Sequence, residues 1–530
     1  MTDLHDAQTR LLPPGLSEDE FSRALEAFAG AVGAEHVLAS DEQLVEWRDP
    51  FAFATWDEYT ASAVVMPEKV EEIQEIVRIA NRFKVPLWTH SVGKNNGYGG
   101  PAPRVRGSVI LSLRRMNKVL EINEECAYAV VEPGVRWFDL YDALQAGGHK
   151  LMVSVPDLGW GSVIGNTLDH GVSYTPYGDH QASQCGMEVV LPNGDLMRTG
   201  MGAMDGNRAW NVYKRGLGPS PDGMFMQSNF GIVTKMGVWL MPQPECYMPL
   251  WLKVWNDADL EPVIETLRKL MLDRTIENVP QIMNTVCLTS VISKRNLWYQ
   301  GDGPMPDSAI DEMARGLDIG RWIMRFALYG DENVIDLRFA KIKEAFARIP
   351  GAEVWGQKCK PADIPKLEHP AELVQGGVPN LELNQMTGWY GGDEGGHIGF
   401  SPVSPLTGRD SLALRTLLRR MIEEAGLDYI AVMIPVNARC FIHITMVIFD
   451  TKDEAQTRAA YDVSKRLVPE AAKLGFGEYR AHLDFMDLAA EQYDFNDHVY
   501  RRFNETIKDA LDPNGILSPG KQGIWPQGMR

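Results

Sequence analysis

Residues 156–180 read PDLGWGSVIGNTLDHGVSYTPYGDH: five glycines among apolar residues, Asp157 near the start and two tyrosines near the end. The run is too rich in glycine for a helix and too interrupted for one long strand. Gly159, Gly161, Gly165 and Gly171 let a backbone come close to a ligand, and Ser162, Asn166 and Thr167 offer side-chain hydrogen bonds to a polar one. A second such loop, SVGKNNGYGG, spans 91–100. Its Gly93, Gly97 and Gly99 would allow backbone N–H groups, with Lys94, Asn95 and Asn96, to approach a phosphate.

Neither loop has a standard nucleotide signature. No GxGxxG opens a helix, so a Rossmann dinucleotide site is not indicated, and no GxxxxGK[ST] phosphate loop is present. One such loop alone also reads as a tight surface turn. Two of them, roughly 60 residues apart, fit a large flat ligand with a phosphate tail, the shape of a flavin dinucleotide. Asp157 taken alone is a turn or helix-cap aspartate as readily as a functional carboxylate.

The elements that would carry these loops are legible. Residues 61–66 (ASAVVM) read as a strand and 85–90 (VPLWTH) as another. Between them Val70, Ile73, Val77, Ala80 and Phe83 fall on one helical face, giving a βαβ unit with parallel strands. Further strands are expected at 107–113 and 127–132, a hairpin over 188–200 turning at Asn193-Gly194, and a strand within 231–242. After Pro244 the texture changes. Residues 246–477 mix amphipathic helices, such as 410–425, with apolar strands, such as 440–449, as a separate α+β domain would. The turn-rich stretch 511–525 ends apolar, as if it packs back on the first domain.

Composition sets limits. The 530 residues are 45% hydrophobic and carry a formal net charge of -19, which argues against nucleic acid or an anionic membrane surface as partner. No apolar run approaches the roughly 20 residues of a membrane helix. The segment MTDLHDAQTRLLPPG has no apolar core and does not read as a signal peptide. Cys126, Cys185, Cys246, Cys287, Cys359 and Cys440 are scattered with no CxxC pair, which fits a reducing cytoplasm. None of the 11 histidines forms an HxH or HxxxH pair, so no metal site is expected.

In order along nearly the whole chain, SVGKNNGYGGPAPRVRGSV, the stretch 156–180, GDGPMP, GGHIGFSPVS, FGEYRAHLDFMD and LDPNGILSPGKQGIW resemble the vanillyl-alcohol oxidase family. These are FAD-linked oxidases of the p-cresol methylhydroxylase fold, and the eugenol and alkylphenol oxidase branch is the most similar. The resemblance implies an α+β flavoprotein of two domains: an FAD-binding domain, 1–245 completed by 478–530, and a cap over 246–477. It implies FAD attached through its 8α-methyl group to His397. Contacts to FAD would come from Gly93, Lys94, Asn95, Asn96, Gly97, Gly99, Pro156, Gly161, Ser162, Gly165, Asn166, Gly231, Ile232, Val233 and Lys521, with the glycines of 156–180 wrapping pyrophosphate and flavin.

Tyr98, Tyr479 and Arg480 match the family's phenol-binding set. Two hydroxyls and a guanidinium favour the phenolate, and a phenolate releases a benzylic hydride toward flavin, leaving a p-quinone methide. Without the family, Tyr479-Arg480 reads as an ordinary surface pair. Asp157 matches an active-site carboxylate near the flavin, suited to proton exchange. Tyr174 and Val172 complete the pocket. Gly399, where some relatives carry an aromatic, is expected to leave room. Met386, Trp389, Met433 and Ile434 are pocket candidates that read equally well as core. The implied function is a cytoplasmic, dimeric or larger oxidase of para-substituted phenols that passes electrons to O2 and yields H2O2. The rivals are a dehydrogenase that serves a cytochrome and a flavin-binding protein without turnover.

Overall fold

The computed structural model describes residues 10–52 and 57–530; residues 1–9, on which most of the signal-peptide reading falls, lie outside the described residues. Three larger sheets organise the described residues, beside a two-stranded one that pairs Leu151–Met152 with Met241–Pro242. The first contains the short strands Ala63–Val65, Val109–Ser112 and Leu87–His90, joined by Val37–Leu38 at one edge. The helix Val70–Phe83 connects the first and last of the parallel strands as the spacing predicts, burying Ile73, Ile76, Val77, Ile79 and Ala80. It stops where Lys84 turns left-handed at φ 57°. The strands it joins are parallel but not neighbours, because Val109–Ser112 lies between them and pairs with both. The βαβ pattern fixed direction and left open which strand would fill the gap.

The second sheet is antiparallel, in the order Val119–Asn123, Tyr128–Val131, Ile232–Trp239, Gln184–Val190, Leu196–Arg198. Its last two strands form the expected hairpin, with Gly194 at φ 87° and Asn193 Oδ1 accepting from Asp195 N–H at 2.9 Å. The stretch 511–525 does pack back. Leu87 N–H donates to Ile516 O at 2.7 Å and Ser518 N–H to Leu87 O at 2.7 Å, so residues 516–518 extend the parallel sheet. The fully buried Lys508 fixes this turn, donating to Asp512 Oδ2 at 2.7 Å, Leu517 O at 2.6 Å and Asn229 O at 2.9 Å.

The third sheet has eight strands drawn from 246–450 and is antiparallel throughout. Period-2 alternation gives it two faces. On Trp322–Gly330, Trp322, Met324, Phe326 and Leu328 pack under the helices Leu260–Leu272 and Glu332–Phe346. Ile323 packs instead with residues of the first domain, so Arg325, two residues on, faces that way too. Among the described residues no helix is long and apolar enough to cross a membrane.

Candidate active site

A cleft of about 200 Å³ lies where the parallel sheet, the glycine loops and residues 516–522 meet. Val92–Asn95 of the first glycine loop form part of its wall. Among the described residues, the N–H groups of Val92–Gly97 donate to no protein acceptor. Successive free N–H groups form a concavity suited to an anion. Thr89 Oγ1, both ring nitrogens of His90 and Asn229 Oδ1, all on residues of the wall, are buried without a partner. Buried polar atoms seldom stay unpaired, so these fit a polar ligand. Lys94, Lys521 and Arg480 bring positive charge to the same wall.

Gly93, Lys94, Asn95, Tyr98, Gly161, Ser162, Gly165, Asn166, Gly231, Ile232, Val233, Arg480 and Lys521 line this cleft. Asn96, Gly97, Gly99, Pro156 and His397 do not. The stretch 156–180 also differs from its reading. Val163–Leu168 is a six-residue helix, capped by Ser162 Oγ accepting from Gly165 N–H at 3.0 Å. Several of its glycines make room for protein, not ligand. A Cβ on Gly159 would lie 2.7 Å from Pro379 Cβ, and one on Gly165 or Gly171 would strike Ser91 or Asn166. Only Gly161 has open space at the cleft, with nothing closer than 3.7 Å.

His397 lies on the strand Gly395–Phe400, whose Ile398 and Phe400 enter the core, so its ring points the other way, onto the backbone of Gly97. Its Nδ1 is buried and has no partner. Burial lowers its pKa to about 4, so the imidazole is neutral at pH 7. Gly399, on the same face, does not leave the expected room: a Cβ there would sit 2.6 Å from Tyr98 Cζ, so the Tyr98 ring already fills that space.

Tyr98, Tyr479 and Arg480 come together. The Arg480 guanidinium lies 5.0 Å from the Tyr98 ring and 5.5 Å from the Tyr479 ring, within cation–π range. Its Nε donates to Asp169 O at 3.0 Å. The Tyr98 hydroxyl is 3.1 Å from Ser401 Oγ, and burial pushes its pKa up to about 12 against the opposing pull of Arg480. Tyr98 is therefore a neutral hydroxyl able to donate toward an anionic oxygen.

Asp157 belongs to a second centre, outside the lining of the cleft. Arg325 Nη2 donates to Asp157 Oδ1 at 2.5 Å, and the Tyr174 hydroxyl donates to Oδ2. Gln281 Nε2 lies 3.4 Å from both Oδ2 and the Tyr174 oxygen. The guanidinium stacks 4.1 Å from the Tyr174 ring centre. All four residues are buried. Arg325 and Gln281 face each other across two strands of the third sheet, so this cluster joins the two domains. Sequence reasoning missed both. The one available signal was polar residues at inward positions of otherwise apolar strands.

The other pocket candidates divide. Val172, Met386, Trp389 and Ile434 pack in the same apolar cluster as Tyr174. Met433 does not. It alternates with Ile434 and enters the helix-covered face, which Val432 and Ile434 avoid. Trp389 is also held from behind, its indole donating to Asp428 Oδ2 at 2.8 Å.

An FAD binding domain family matches residues 61–200, and the C-terminal domain family of FAD-linked oxidases matches 441–522. The chain is 37% identical over 524 residues to the 4-cresol dehydrogenase [hydroxylating] flavoprotein subunit of Pseudomonas putida, covering 98% of this chain and 99% of that one. The chain belongs to the FAD-linked oxidoreductases of the p-cresol methylhydroxylase fold. Its structure superposes on 4-ethylphenol oxidase from Gulosibacter chungangensis in complex with isoeugenol, with a TM-score of 0.93, 41% identity and coverage of 98% and 100%. It superposes on p-cresol methylhydroxylase with substrate bound at a TM-score of 0.91, with 36% identity and coverage of 97% and 99%. This membership is consistent with the vanillyl-alcohol oxidase family, and FAD is the cofactor the cleft suits.

Proposed function

We propose that the protein is a flavoprotein oxidase of para-substituted phenols: 4-alkylphenols, 4-allylphenols and 4-hydroxybenzyl alcohols. The observation that carries this reading is the grouping of Arg480 and Tyr98, on a cleft that suits a dinucleotide, with the adjoining Tyr479 ring. Bound FAD supplies the two-electron acceptor for the hydride that leaves the benzylic carbon. The chain's own part is electrostatic. Arg480 holds the phenol oxygen as an anion, and the neutral Tyr98 hydroxyl donates to it. Charge on that oxygen pushes density to the para carbon and leaves a p-quinone methide. Asp157, with one oxygen on Arg325 and the other accepting from the Tyr174 hydroxyl, is the positioned carboxyl group for proton exchange with Tyr174.

The same reading carries FAD held covalently by His397. Its support is a neutral imidazole with an unpartnered nitrogen beside Gly97. The same reading takes domains of 1–245 with 478–530, and of 246–477, supported by the division of the sheets, and a cytoplasmic location, supported by six free thiols. A homodimer or larger homo-oligomer rests on likeness to the family. Denaturation tests the linkage: flavin should stay with the chain, and tryptic mapping should find it on the His397 peptide.

Anaerobic flavin reduction by 4-ethylphenol and by 4-ethylanisole tests the chemistry. The phenol should bleach the flavin and the anisole should not. Arg480→Lys should slow reduction by about one to two decades, since charge-assisted hydrogen bonds contribute ~1.5–3 kcal/mol and lysine lacks the planar fork. Comparable reduction by the anisole ends the phenolate mechanism. A dehydrogenase that serves a cytochrome is the second reading, favoured by the likeness to the 4-cresol dehydrogenase subunit. Oxygen uptake with stoichiometric H2O2 selects the oxidase; reduced flavin that persists in air selects the dehydrogenase.

A further inference from the structure

A second cavity of about 370 Å³ adjoins the cleft and shares Gln227, Ala481 and Met486 with its wall. Its lining is largely aromatic and apolar, including Phe230, Tyr479, Tyr493, Tyr500 and Phe503. Tyr500 and Phe503 are exposed and mark the mouth. In this lining stands Glu478, only 7% exposed, with neither carboxyl oxygen in a hydrogen bond of good geometry among the described residues, although the Ser401 backbone lies near enough to favour its charged form. Its backbone is firmly held: the Tyr493 hydroxyl donates to Glu478 O at 2.9 Å, and Glu478 bridges to Pro402. The segment is fixed and the carboxyl group has no well-placed partner.

A buried polar side chain with no partner is costly and calls for one. Cations do not supply it here. Arg501 reaches the cavity wall but is bound to Glu491 at 2.7 Å, and burial lowers the pKa of His170. Burial raises the pKa of Glu478 well above the usual range, leaving a carboxylic acid with one donor and one acceptor. A phenolic hydroxyl has the same two capacities, and its ring suits the aromatic lining. We propose that this cavity is a second binding site, for the uncharged form of a phenol, with Glu478 as its hydrogen-bonding anchor.

The choice of a phenol rests on the function proposed above. Tyr479 then stands between two stations. Its ring lines the second cavity and lies 5.5 Å from the Arg480 guanidinium. A neutral phenol would be collected at Glu478, two residues from Arg480, the group that holds it as an anion.

The test uses the FAD-loaded protein and 4-tert-butylphenol, which has no hydrogen on its benzylic carbon and cannot be oxidised there. Calorimetric titration should give two binding events per subunit, one of which perturbs the flavin spectrum. Glu478→Leu should weaken the spectroscopically silent event by about tenfold or more and spare the other. Glu478→Gln, which keeps a donor and an acceptor, should retain both, and 4-tert-butylanisole should lose the silent event in every variant. A single event in the parent, or a silent event unchanged in Glu478→Leu, overturns the proposal. If Glu478→Leu does not fold, the anisole comparison decides on the parent alone: equal silent binding of phenol and anisole overturns it. Failure of the phenol-oxidase reading would look different, as no flavin perturbation by 4-tert-butylphenol and no bleaching by 4-ethylphenol.

Discussion

The loop Val92–Gly97 beside the cleft and the cluster around Asp157 bury polar groups in opposite ways. In the loop a run of backbone N–H groups, with Thr89, His90 and Asn229 of the cleft, is left without protein partners. In the cluster Asp157, Tyr174, Gln281 and Arg325 satisfy one another, and only Arg325 Nε is unpaired. The first region is incomplete without a ligand. The second is complete in itself and joins two domains. The loop should therefore tolerate side-chain truncation and fail when a Cβ is added, whereas the cluster should fail when any charged member is truncated.

The largest effect is expected at Arg325. Arg325→Met strands a buried carboxylate, and breaking such a pair costs about 3–5 kcal/mol. Urea unfolding should register that loss, and Asp157→Asn on top of it should recover part. A loss below about 1 kcal/mol would mean that the cluster is as solvated as the surface. Asp157→Ala should slow flavin reduction by roughly 10²-fold or more, the range for a positioned acid–base group; reduction at the parental rate would remove Asp157 from the mechanism.

Gly97→Ala probes the loop. At φ +80° a side chain costs about 1–2 kcal/mol, and its Cβ would strike the His397 ring. The fraction of flavin that survives denaturation should fall sharply. Asn96→Ala, one residue away, adds no atom and leaves the backbone N–H groups in place, so it should load flavin like the parent. Equal loading in both would remove the contrast.

Acid provides a smaller test. Burial pushes both His90, on the cleft, and His443, packed against Phe441 and 3.1 Å from Ser404 Oγ, down to about 3. An unfolded histidine titrates near ~6.5. Between those values the unfolded chain binds the proton that the folded chain refuses, so stability falls as pH falls through this window. For His443 the slope is about 1.4 kcal/mol per pH unit. His443→Phe should flatten the acid limb of the unfolding curve whether or not FAD is present. An equivalent change at His90 should depend on FAD, which completes that region.

The sequence predicted local structure better than meetings between distant segments. The helix at 70–83, the Asn193-Gly194 hairpin and the return of 511–525 all follow from short-range pattern, and each is observed. The insertion of Val109–Ser112 between two strands does not, because no local residue encodes a strand's neighbour. Met433 and Ile434 look alike as residue types, and only the register of Ala431–Asn437 sends one under helices and the other toward Asp157's side of the sheet. Arg325 is 168 positions from Asp157, and their pairing depends on the docking of two domains. The glycines of 156–180 correctly marked close approach, but composition could not say that the approaching atoms belong largely to Ser91, Asn166 and Pro379.

The contacts of Lys508 and of residues 516–518 bear on how the molecule is made. Ser518 Oγ accepts from Thr89 N–H across 429 positions, and the cleft shares Leu517, Ser518 and Lys521 with the far end of the chain. While synthesis proceeds from the other end, the parallel strands and both glycine loops emerge with one side of their trough missing. A nascent chain halted before residue 516 would present the free N–H groups of Val92–Gly97 to water, without the lid that shuts them in. A complete cleft for FAD therefore needs residues from both ends of the chain.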